Sequence, residues 1–403
     1  EEFGNPDNPT ERALFFSLKT ITYTAQYHRA EMKGWKTSIG INGMQQNNGN
    51  KGVEQLIPNY RLFDFGIYAY TQKTINKLTI SGGVRFDSRN VDAANLIDGT
   101  SIKGNGFKKS FSNISGSLGL AAQVTENLNL KFNIARGFRS PSIPELGSNG
   151  AHEGTIRYEY GNTALKSETS LQLDGGLDFN TQHISIGLSG FYNNFDNFIF
   201  YRKLQAVGGG DSIVNVNGQG LAAFKFDQTQ ATLFGMEATV DIHPHPLDWL
   251  HILNTFSVVS GQFNNRLDGN KYLPFIPATK LATEFKGNLK KLSGTIRNFY
   301  VKFEVNNTFK KNHVFTAFNT ETKTPGYTLL NTGIGGDFVN KQSKTLFSLS
   351  LSVLNLADVA YQNNLSRLKY ADENLATGRT GVFNMGRNFS IKLNIPISFN
   401  FKK

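Results

Sequence analysis

The last strand-like segment of the chain, Phe389–Phe401, reads FSIKLNIPISFNF. Every odd-numbered residue in it is apolar, whereas the even-numbered ones are Ser, Lys, Asn or Pro. Because successive side chains of a β-strand point to opposite faces, this period of two predicts a strand with one wholly apolar face. The same alternation recurs at 128–134, 171–179, 301–305 and 347–353.

Composition narrows the class of protein. The chain has 403 residues, a net charge of +11 and 12% aromatic residues, which excludes intrinsic disorder. It contains no cysteine, so a disulfide scaffold, a Cys-ligated metal site and a thiol nucleophile are excluded. No apolar run approaches the length of a transmembrane helix. The mean hydropathy of −0.33 is polar, but a transmembrane β-barrel also averages polar because only one face of each strand is apolar.

Counting the alternating segments gives roughly fifteen strands of about 9–15 residues, longer than the five or six residues usual in globular sheets. Short and long connections alternate between them, as in an up-and-down barrel with short periplasmic turns and long outer loops. Short links are predicted at 31–34, 74–77, 125–127, 181–182, 244–248, 287–292 and 340–344. Long loops are predicted at 45–58, 89–109, 137–166, 203–229, 264–279, 311–325 and 356–386. We therefore predict an all-β fold, a transmembrane antiparallel up-and-down β-barrel.

The rival fold is a soluble β-sandwich or β-helix, which also alternates. Sandwich strands are shorter and lack the systematic difference between the two sets of connections. An odd number of strands puts the two ends of the sheet at opposite rims, whereas single-chain bacterial barrels have an even number. We therefore expect this chain to be the C-terminal portion of a larger barrel whose first strand here lies within 12–29.

From Arg136 onward the sequence resembles the barrel of the TonB-dependent outer-membrane receptors. Residues 135–146, ARGFRSPSIPEL, look like the family's strand-to-loop signature. Residues 161–170, GNTALKSETS, are similar to its Asn-Pro box, with Thr163 where Pro is usual. Further matches lie at 191–199, 235–237, 273–278, 355–361 and 386–388, so the resemblance covers about residues 60–401.

The resemblance implies a barrel of twenty-two strands filled by an N-terminal plug. Residues 1–403 would form one β-barrel domain, with about fifteen of the strands, and the plug would lie outside this chain. The implied function is import of a scarce ligand in a TonB-dependent manner across the outer membrane of a Gram-negative bacterium. An iron–siderophore complex is the leading cargo, haem is second and a glycan third. The expected partners are TonB through the plug, outer-membrane lipid and lipopolysaccharide.

Two other classes of function stay open beside this one. A passive porin-like channel uses the same barrel, and upstream sequence encoding a plug would separate the two. Enzyme motifs such as Gly-x-Ser-x-Gly or His-Glu-x-x-His are absent from the sequence, so we predict neither an enzyme nor a cofactor. Lys and Arg are dispersed without a basic stripe, so we predict no nucleic-acid partner.

Charged residues near the family signature have a structural and a functional interpretation. Structurally, Arg139 and Glu145 tie a long loop to the barrel wall through an ion pair, and Glu168 faces inward toward an arginine. Functionally, the same segment contacts the plug or the substrate. The residues that we assign to plug or lumen contact are Arg136, Glu145, Glu168 and Glu237.

The predicted substrate-binding residues, Arg139 among them, lie in the long outer loops. His152 occupies the location where haem receptors of the family carry an axial histidine, and His313 is a possible second ligand. Alternatively, His152 is a solvated polar residue beside Glu153. Loop aromatics bind flat ligands with little loss of entropy, which favours Tyr158, Tyr160 and Phe224.

His243-Pro244-His245-Pro246, with His251 nearby, superficially suggests a metal site. The segment falls on a predicted short link, where the two prolines shape a turn. Only Asp241 and Asp248 are close enough in sequence to complete a set of metal ligands. We therefore predict a structural turn here and no metal site in the chain.

Overall fold

The computed structural model describes residues 8, 10, 12–152, 157–216 and 218–397. Fifteen long strands form a wall in which each strand pairs antiparallel with the next one. They are β1 (Phe16–His28), β2 (Trp35–Asn50), β3 (Tyr60–Ile75), β4 (Leu78–Ala93), β5 (Phe107–Gln123), β6 (Leu128–Arg139), β7 (Glu168–Asn180), β8 (Ile184–Lys203), β9 (Gln219–Ile242), β10 (Leu250–Leu267), β11 (Lys280–Lys291), β12 (Ile296–Thr308), β13 (Tyr327–Val339), β14 (Thr345–Leu354) and β15 (Asn388–Asn394). The predicted all-β, up-and-down architecture and the strand number are confirmed.

The two faces of the wall differ as the alternation predicts. Large apolar side chains stand exposed on one face, for example Ile114 at 59%, Phe132 at 50% and Ile391 at 74%. A wall that faces lipid requires such an apolar band, because hydrocarbon rather than water surrounds it. The opposite face is concave, since one cavity there touches the six consecutive strands β1 to β6. We call this concave side the lumen face.

Short turns link the strands at one rim, and one predicted turn is wrong. We expected the link after β11 at 287–292, but β11 continues to Lys291 and the turn is closed by Leu292 and Ser293 donating to the Ile296 carbonyl. Gly287, which suggested the turn, instead lets the ring of Trp249 approach: a Cβ there would lie 3.2 Å from it. Glycine in a strand often marks such a close approach.

The long connections carry a second layer of structure, which we call the loop layer: the outer loops and the outer ends of the wall strands. It contains the only α-helix among the described residues, Ile143–Gly147, which is closed by a capping box between Ser142 and Glu145. A 3₁₀ helix covers Arg367–Tyr370. Short strands occur at Leu96–Asp98, Ser101–Gly104, Asn149–His152, Arg157–Tyr160, Ile213–Val216, Asn270–Tyr272, Glu373–Asn374 and Arg379–Thr380.

Several wall strands extend into the predicted loops. β9 begins at Gln219, well inside the loop expected at 203–229, because its outer end pairs with both Ile213–Val216 and β8. The buried apolar clusters also lie in the loop layer and not between the wall strands at mid-height. The largest centres on Phe263 and Phe315, each 1% exposed.

The two ends of the sheet do not pair with each other. Among the described residues, β1 pairs only with β2 and β15 only with β14. β15 stops at Asn394, so Pro396 lies beyond the ladder and removes no hydrogen bond from it. The end of the predicted alternation, Phe399 and Phe401, lies outside the described residues. Among the residues that the structure describes, no helix has the length and apolarity needed to cross a membrane.

Candidate functional site

The lumen face carries a charged cavity of about 580 Å³. Arg89 Nε and Nη2 bind the two carboxylate oxygens of Asp64 at 2.8 and 2.7 Å. Arg85 donates from Nε to Asp87 at 2.6 Å and from Nη2 to Asn42 Oδ1 at 2.7 Å. Bidentate pairing of this kind fixes the orientation of a guanidinium as well as its charge. The cavity therefore presents fixed polar groups to whatever occupies the lumen.

The sequence analysis did not predict this cavity, although the alternating charges of β4 indicate it. Arg85, Asp87 and Arg89 occupy every second position of β4, so a strand places all three on one face. The apolar Val84 and Phe86, which flank Arg85, are 55% and 41% exposed on the other face. A search for charges at period two would have found the set.

Three residues predicted from the family signature are brought together at the outer end of β6. Arg139 Nη1 lies 2.8 Å from Glu145 Oε2, and its Nη2 lies 3.2 Å from Glu168 Oε2. Glu168 also accepts from the backbone N–H of Ile199 at 2.9 Å. The expected ion pair is thus present, and it links the helix Ile143–Gly147 to two wall strands. Arg139 additionally lines the charged cavity.

The other two predicted wall residues lie on opposite faces. Arg136 lines an outward groove with Ile114, Leu118 and Leu171 and donates to the Ile114 carbonyl. It shares the parity of the exposed Phe132 on β6, so the structure does not bring it to the lumen. Glu237 lies on β9 between Ser189 and Ser257, one residue from the outward-facing Met236, and is on the lumen face.

The loop layer contains a second cavity of about 650 Å³, which we call the outer pocket. Its lining is dominated by aromatic side chains from β8, β9 and three outer loops. They are Phe195, Phe198, Phe200, Tyr201, Phe224, Phe275, Phe315, Phe318 and Tyr370. Its volume is within the roughly 300–1,000 Å³ typical of small-molecule sites.

Three cationic side chains also line the outer pocket. The Arg157 guanidinium lies 3.8 Å from the ring centroid of Tyr201 and 5.5 Å from that of Phe224, and Arg367 lies 5.5 Å from that of Phe275. Lys203 pairs with Asp211 at 2.5 Å. Cations held over aromatic rings stay partly desolvated, which strengthens their attraction for an anion. Sequence reasoning missed all three, because no motif marks them.

His152, Tyr158 and Tyr160 lie behind the outer pocket on two short paired strands, Asn149–His152 and Arg157–Tyr160. His152 Nδ1 is 2.9 Å from Glu159 Oε1, and the same oxygen accepts from Arg157 Nε at 2.7 Å. His152 is thus connected to the pocket through a buried carboxylate and does not line it.

Tyr158 is a buried structural residue of the same pair of strands. Its hydroxyl donates to Asn149 Oδ1 at 2.8 Å, and its ring contacts Tyr160 at a centroid distance of 4.9 Å. Burial, with smaller contributions from Tyr160 and Asp98, raises the pKa of Tyr158 to about 12. The phenol therefore remains a donor at any physiological pH.

The remaining two predicted substrate residues have different positions. Phe224 lines the outer pocket and packs edge-on against Phe318 at 6.2 Å. His313 stacks on Tyr272 with the ring centroids 4.6 Å apart and the rings 12° from parallel. It is not among the residues that line the pocket in the described part of the chain.

Glu321 holds one wall of the outer pocket in place. It is 2% exposed, and its Oε2 accepts from the backbone N–H groups of Phe315 at 3.0 Å and Phe275 at 3.3 Å. Phe275 has φ of 58°, a conformation that side chains with a Cβ rarely adopt and that neighbouring contacts must hold. Burial raises the pKa of Glu321, while those two hydrogen bonds, Lys311 and Lys369 oppose the rise. No sequence motif marks this carboxylate.

Comparison with known proteins places the chain in a family. The model of the family described as "TonB dependent receptor-like, beta-barrel" matches residues 5–356, whereas the sequence signatures covered about 60–401. The ferric enterobactin receptor of Pseudomonas aeruginosa is 32% identical over 96 residues, which are 22% of this chain and 13% of the relative. The ferrienterobactin receptor of Escherichia coli K12 is 25% identical over 242 residues, 57% of this chain and 29% of the relative.

Among solved structures, the copper transporter OprC superposes with a TM-score of 0.72 at 16% sequence identity, which shows a shared fold. The superposition covers 94% of this chain and 57% of OprC. The chain thus spans a little over half of that barrel protein and less than a third of either aligned receptor. Because this family model matches most of the chain, and the wall has the fold of a solved member, the chain belongs to the TonB-dependent receptor family.

Proposed function

We propose that this chain is the barrel part of an outer-membrane receptor that imports an iron chelate in a TonB-dependent manner into a Gram-negative bacterium. The observation that carries the proposal is the outer pocket, which combines an aromatic lining with three cations at the long-loop end of the wall. The names of the two aligned relatives, both receptors for ferric enterobactin, support this cargo class.

The pocket chemistry favours an anionic chelate that carries flat aromatic groups. Rings stack on the pocket's Phe and Tyr side chains at small entropic cost, since those side chains are already packed. Arg157 and Arg367 supply positive charge beside those rings. The net charge of +11 also favours attraction of an anion toward the molecule.

The domain organisation is part of the proposal. We take residues 1–403 as one β-barrel domain that contributes fifteen strands to a barrel of twenty-two, with the plug outside this chain. In the described residues, the outer edges of β1 and β15 have no strand partner, which supports further strands because an exposed edge pairs readily with another strand. The ion pairs of Arg85 and Arg89 face the space that a plug would fill. TonB would act on the plug, and lipid and lipopolysaccharide would contact the outer face.

Ferric-chelate binding to the intact protein in detergent tests the pocket. We expect Arg157→Gln/Arg367→Gln to weaken binding of an aromatic ferric chelate by about tenfold or more, equivalent to about 1.4 kcal/mol. Arg266→Gln is the matched control, because Arg266 is an exposed arginine of the loop layer that bonds the Gly269 carbonyl. Equal affinity of the double variant and the wild type would refute the pocket assignment.

Haem is the second candidate, and one contact favours it. His152 Nδ1 bonds Glu159, the carboxylate–histidine arrangement that orients many metal-ligating imidazoles. Haem titration of wild type and His152→Ala decides the question. Loss of haem affinity together with the Soret signature of His ligation supports it, whereas unchanged affinity eliminates ligation by His152.

A passive porin-like channel remains the alternative from another class. Upstream sequence encoding a plug and a TonB-contact peptide would favour the receptor. A swelling assay on liposomes that contain the intact protein provides a direct test. Free permeation of small sugars would favour the channel instead.

A further inference from the structure

Four of the chain's seven histidines lie in or beside the short turn between β9 and β10: His183, His243, His245 and His251. Two of them, with Asp241, form a cluster that we call the rim triad: Asp241, His243 and His251. One potential ligand atom from each residue lies within 4.8 Å of the other two. The rim triad is at the opposite end of the wall from the outer pocket.

Strand pairing creates the rim triad. Asp241 lies near the end of β9, His243 follows that strand, and His251 lies near the start of β10. The turn at 243–249, with Pro244 and Pro246, reverses the chain between them. The sequence alone suggested a proline-shaped turn, and the structure adds that this turn returns His251 to Asp241.

All three side chains point to the lumen face. The apolar Phe234 and Met236 of β9 are exposed outward, so the alternate position Asp241 faces inward. His243 lies beyond the strand but is on the same side, because its Nε2 is 2.8 Å from Asp241 Oδ2. On β10, Ile252 pairs with Ile242 and with the exposed Phe285, so its neighbour His251 faces inward as well. The rim triad therefore faces an aqueous space and not lipid.

The two distances from Asp241 Oδ2 to the histidine nitrogens are near those of a tetrahedral metal site. His251 Nδ1 lies 3.6 Å from Asp241 Oδ2, and His243 Nε2 lies 2.8 Å from the same oxygen. Ligand atoms about 2.0–2.1 Å from a tetrahedral ion are roughly 3.3 Å apart. The first pair is about 0.3 Å wider than this spacing, and the second, now hydrogen-bonded, must open by about half an ångström.

Two buried polar atoms at the rim have unused bonding capacity. Within the part of the chain that the structure describes, neither Asp241 Oδ1 nor His183 Nδ1 has a hydrogen-bond partner. His183 is adjacent, since its carbonyl accepts from the His243 N–H at 2.7 Å. A buried carboxylate oxygen without a partner is costly, and a bound cation would compensate that cost.

The charges around the rim triad are compatible with a cation. The cross-strand partner of His251 is Lys286, whose ammonium lies over the ring of Tyr300 at 5.2 Å. Asp241 contributes the negative charge, and the imidazole rings of His243 and His251 are packed at a centroid distance of 4.3 Å. Among the described residues, no Lys or Arg side chain forms an ion pair with Asp241.

We propose that the rim triad is a binding site for a divalent transition-metal ion, with Zn²⁺ as the ion best matched. Two imidazoles and one carboxylate are ligands that Zn²⁺ accepts at tetrahedral geometry, whereas Ca²⁺ and Mg²⁺ require mostly oxygen ligands. Three protein ligands leave one position for water or for a donor from a neighbouring segment. The site would join β9 to β10 at the short-turn rim, independently of the cargo at the outer pocket.

Metal titration of the intact, tag-free protein in detergent tests the proposal. After chelator treatment, Co²⁺ is added and its visible absorption recorded, and Zn²⁺ affinity is measured by competition with a chromogenic chelator. The wild type is compared with His243→Asn/His251→Asn and with Asp241→Asn, which keeps the size of the side chain. His28→Asn is the matched control, because His28 is also near this rim but bonds Ser38.

We expect one equivalent of Co²⁺ with the intense absorption of tetrahedral coordination, and displacement of Co²⁺ by Zn²⁺. Each triad variant should lose about tenfold or more in Zn²⁺ affinity, and His28→Asn should not. Heat-modified migration of each variant on a gel shows whether the wall is folded. Octahedral weak absorption, or equal Zn²⁺ affinity of folded triad variants and wild type, would overturn the proposal and leave a hydrogen-bonded turn.

Discussion

The wall and the loop layer both contain many large apolar side chains, but the wall exposes them and the loop layer buries them. On the wall, Phe132 and Phe285 are 50% and 42% exposed, whereas in the loop layer Phe263 and Phe315 are 1% exposed. A lipid-facing wall turns its apolar side chains outward and satisfies its backbone through the strand ladder. The loop layer projects into water and must bury its apolar side chains against one another.

This difference shows which interactions stabilise each region. The wall depends on continuous pairing of its strands and on the surrounding hydrocarbon, so single side-chain truncations there remove little packing. The loop layer depends on packed aromatic contacts, such as Phe263 against Phe200 at 5.5 Å and against Phe315 at 5.8 Å. We therefore expect the loop layer to respond to mutation and to pH independently of the wall.

The largest expected effect is truncation in the loop layer. Phe263→Ala removes a fully buried ring, which costs about 3–5 kcal/mol because a cavity is left behind. Hydrogen exchange should show loss of protection in the loops around the outer pocket. The matched control is Phe285→Ala on the outward face of β11, which should leave protection unchanged. Similar effects from both variants would contradict the distinction between the two regions.

The second-largest expected effect is on the wall, where a charged residue is placed on the outward, apolar face. Phe132→Arg, in the middle of β6, should destabilise the protein in a bilayer by about 2–4 kcal/mol, because the guanidinium must leave water for hydrocarbon. Urea unfolding in lipid vesicles measures the free energy. Ser117→Arg, on the lumen face of β5, is the control and should cost much less. Equal cost at both positions would mean that the face assignment is wrong.

The smallest expected effect concerns Glu321 and pH. Burial raises the pKa of Glu321 in the folded loop above the ordinary value of 4.5. At a pH between the unfolded and the folded pKa, the folded loop therefore retains a proton that the unfolded loop releases. Loop-layer stability should therefore fall as pH rises from 4.5 through the raised pKa, and then level off. Hydrogen exchange at the Phe315 amide as a function of pH measures this dependence.

Two variants separate charge from hydrogen bonding at Glu321. Glu321→Gln keeps an acceptor for the Phe315 and Phe275 amides, so it should abolish this pH dependence while preserving protection. Glu321→Ala leaves those amides without their acceptor and should cost about 1–3 kcal/mol at every pH. An unchanged pH profile in Glu321→Gln would show that another group titrates.

Local pattern was sufficient for much of the molecule. The period-two alternation predicted the wall strands, and the Gly-Phe-Arg segment with its downstream box predicted both the family and the Arg139–Glu145 ion pair. The alternation along β6 also predicts that Arg136 faces outward, since Arg136 continues the apolar series 128, 130, 132 and 134. Our lumen assignment for Arg136 relied on the motif and neglected that parity.

The candidate sites were much less predictable. Arg157 and Arg367 are more than two hundred residues apart, yet both line the outer pocket. His152, the residue that the family motif singled out, is separated from the pocket by Glu159. At the other rim, the histidines of the turn were visible in the sequence, but their approach to Asp241 was not.

The sequence by itself determined which side chains face lipid and which face the lumen, because strand geometry converts every second residue into one surface. Only the tertiary structure decided which loop residues meet, because loops from distant strands converge in space according to the curvature and register of the whole wall. The outer pocket and the rim triad are both products of that convergence. Alternation is a property of neighbouring residues, whereas a binding site depends on the path that the entire sheet follows in space.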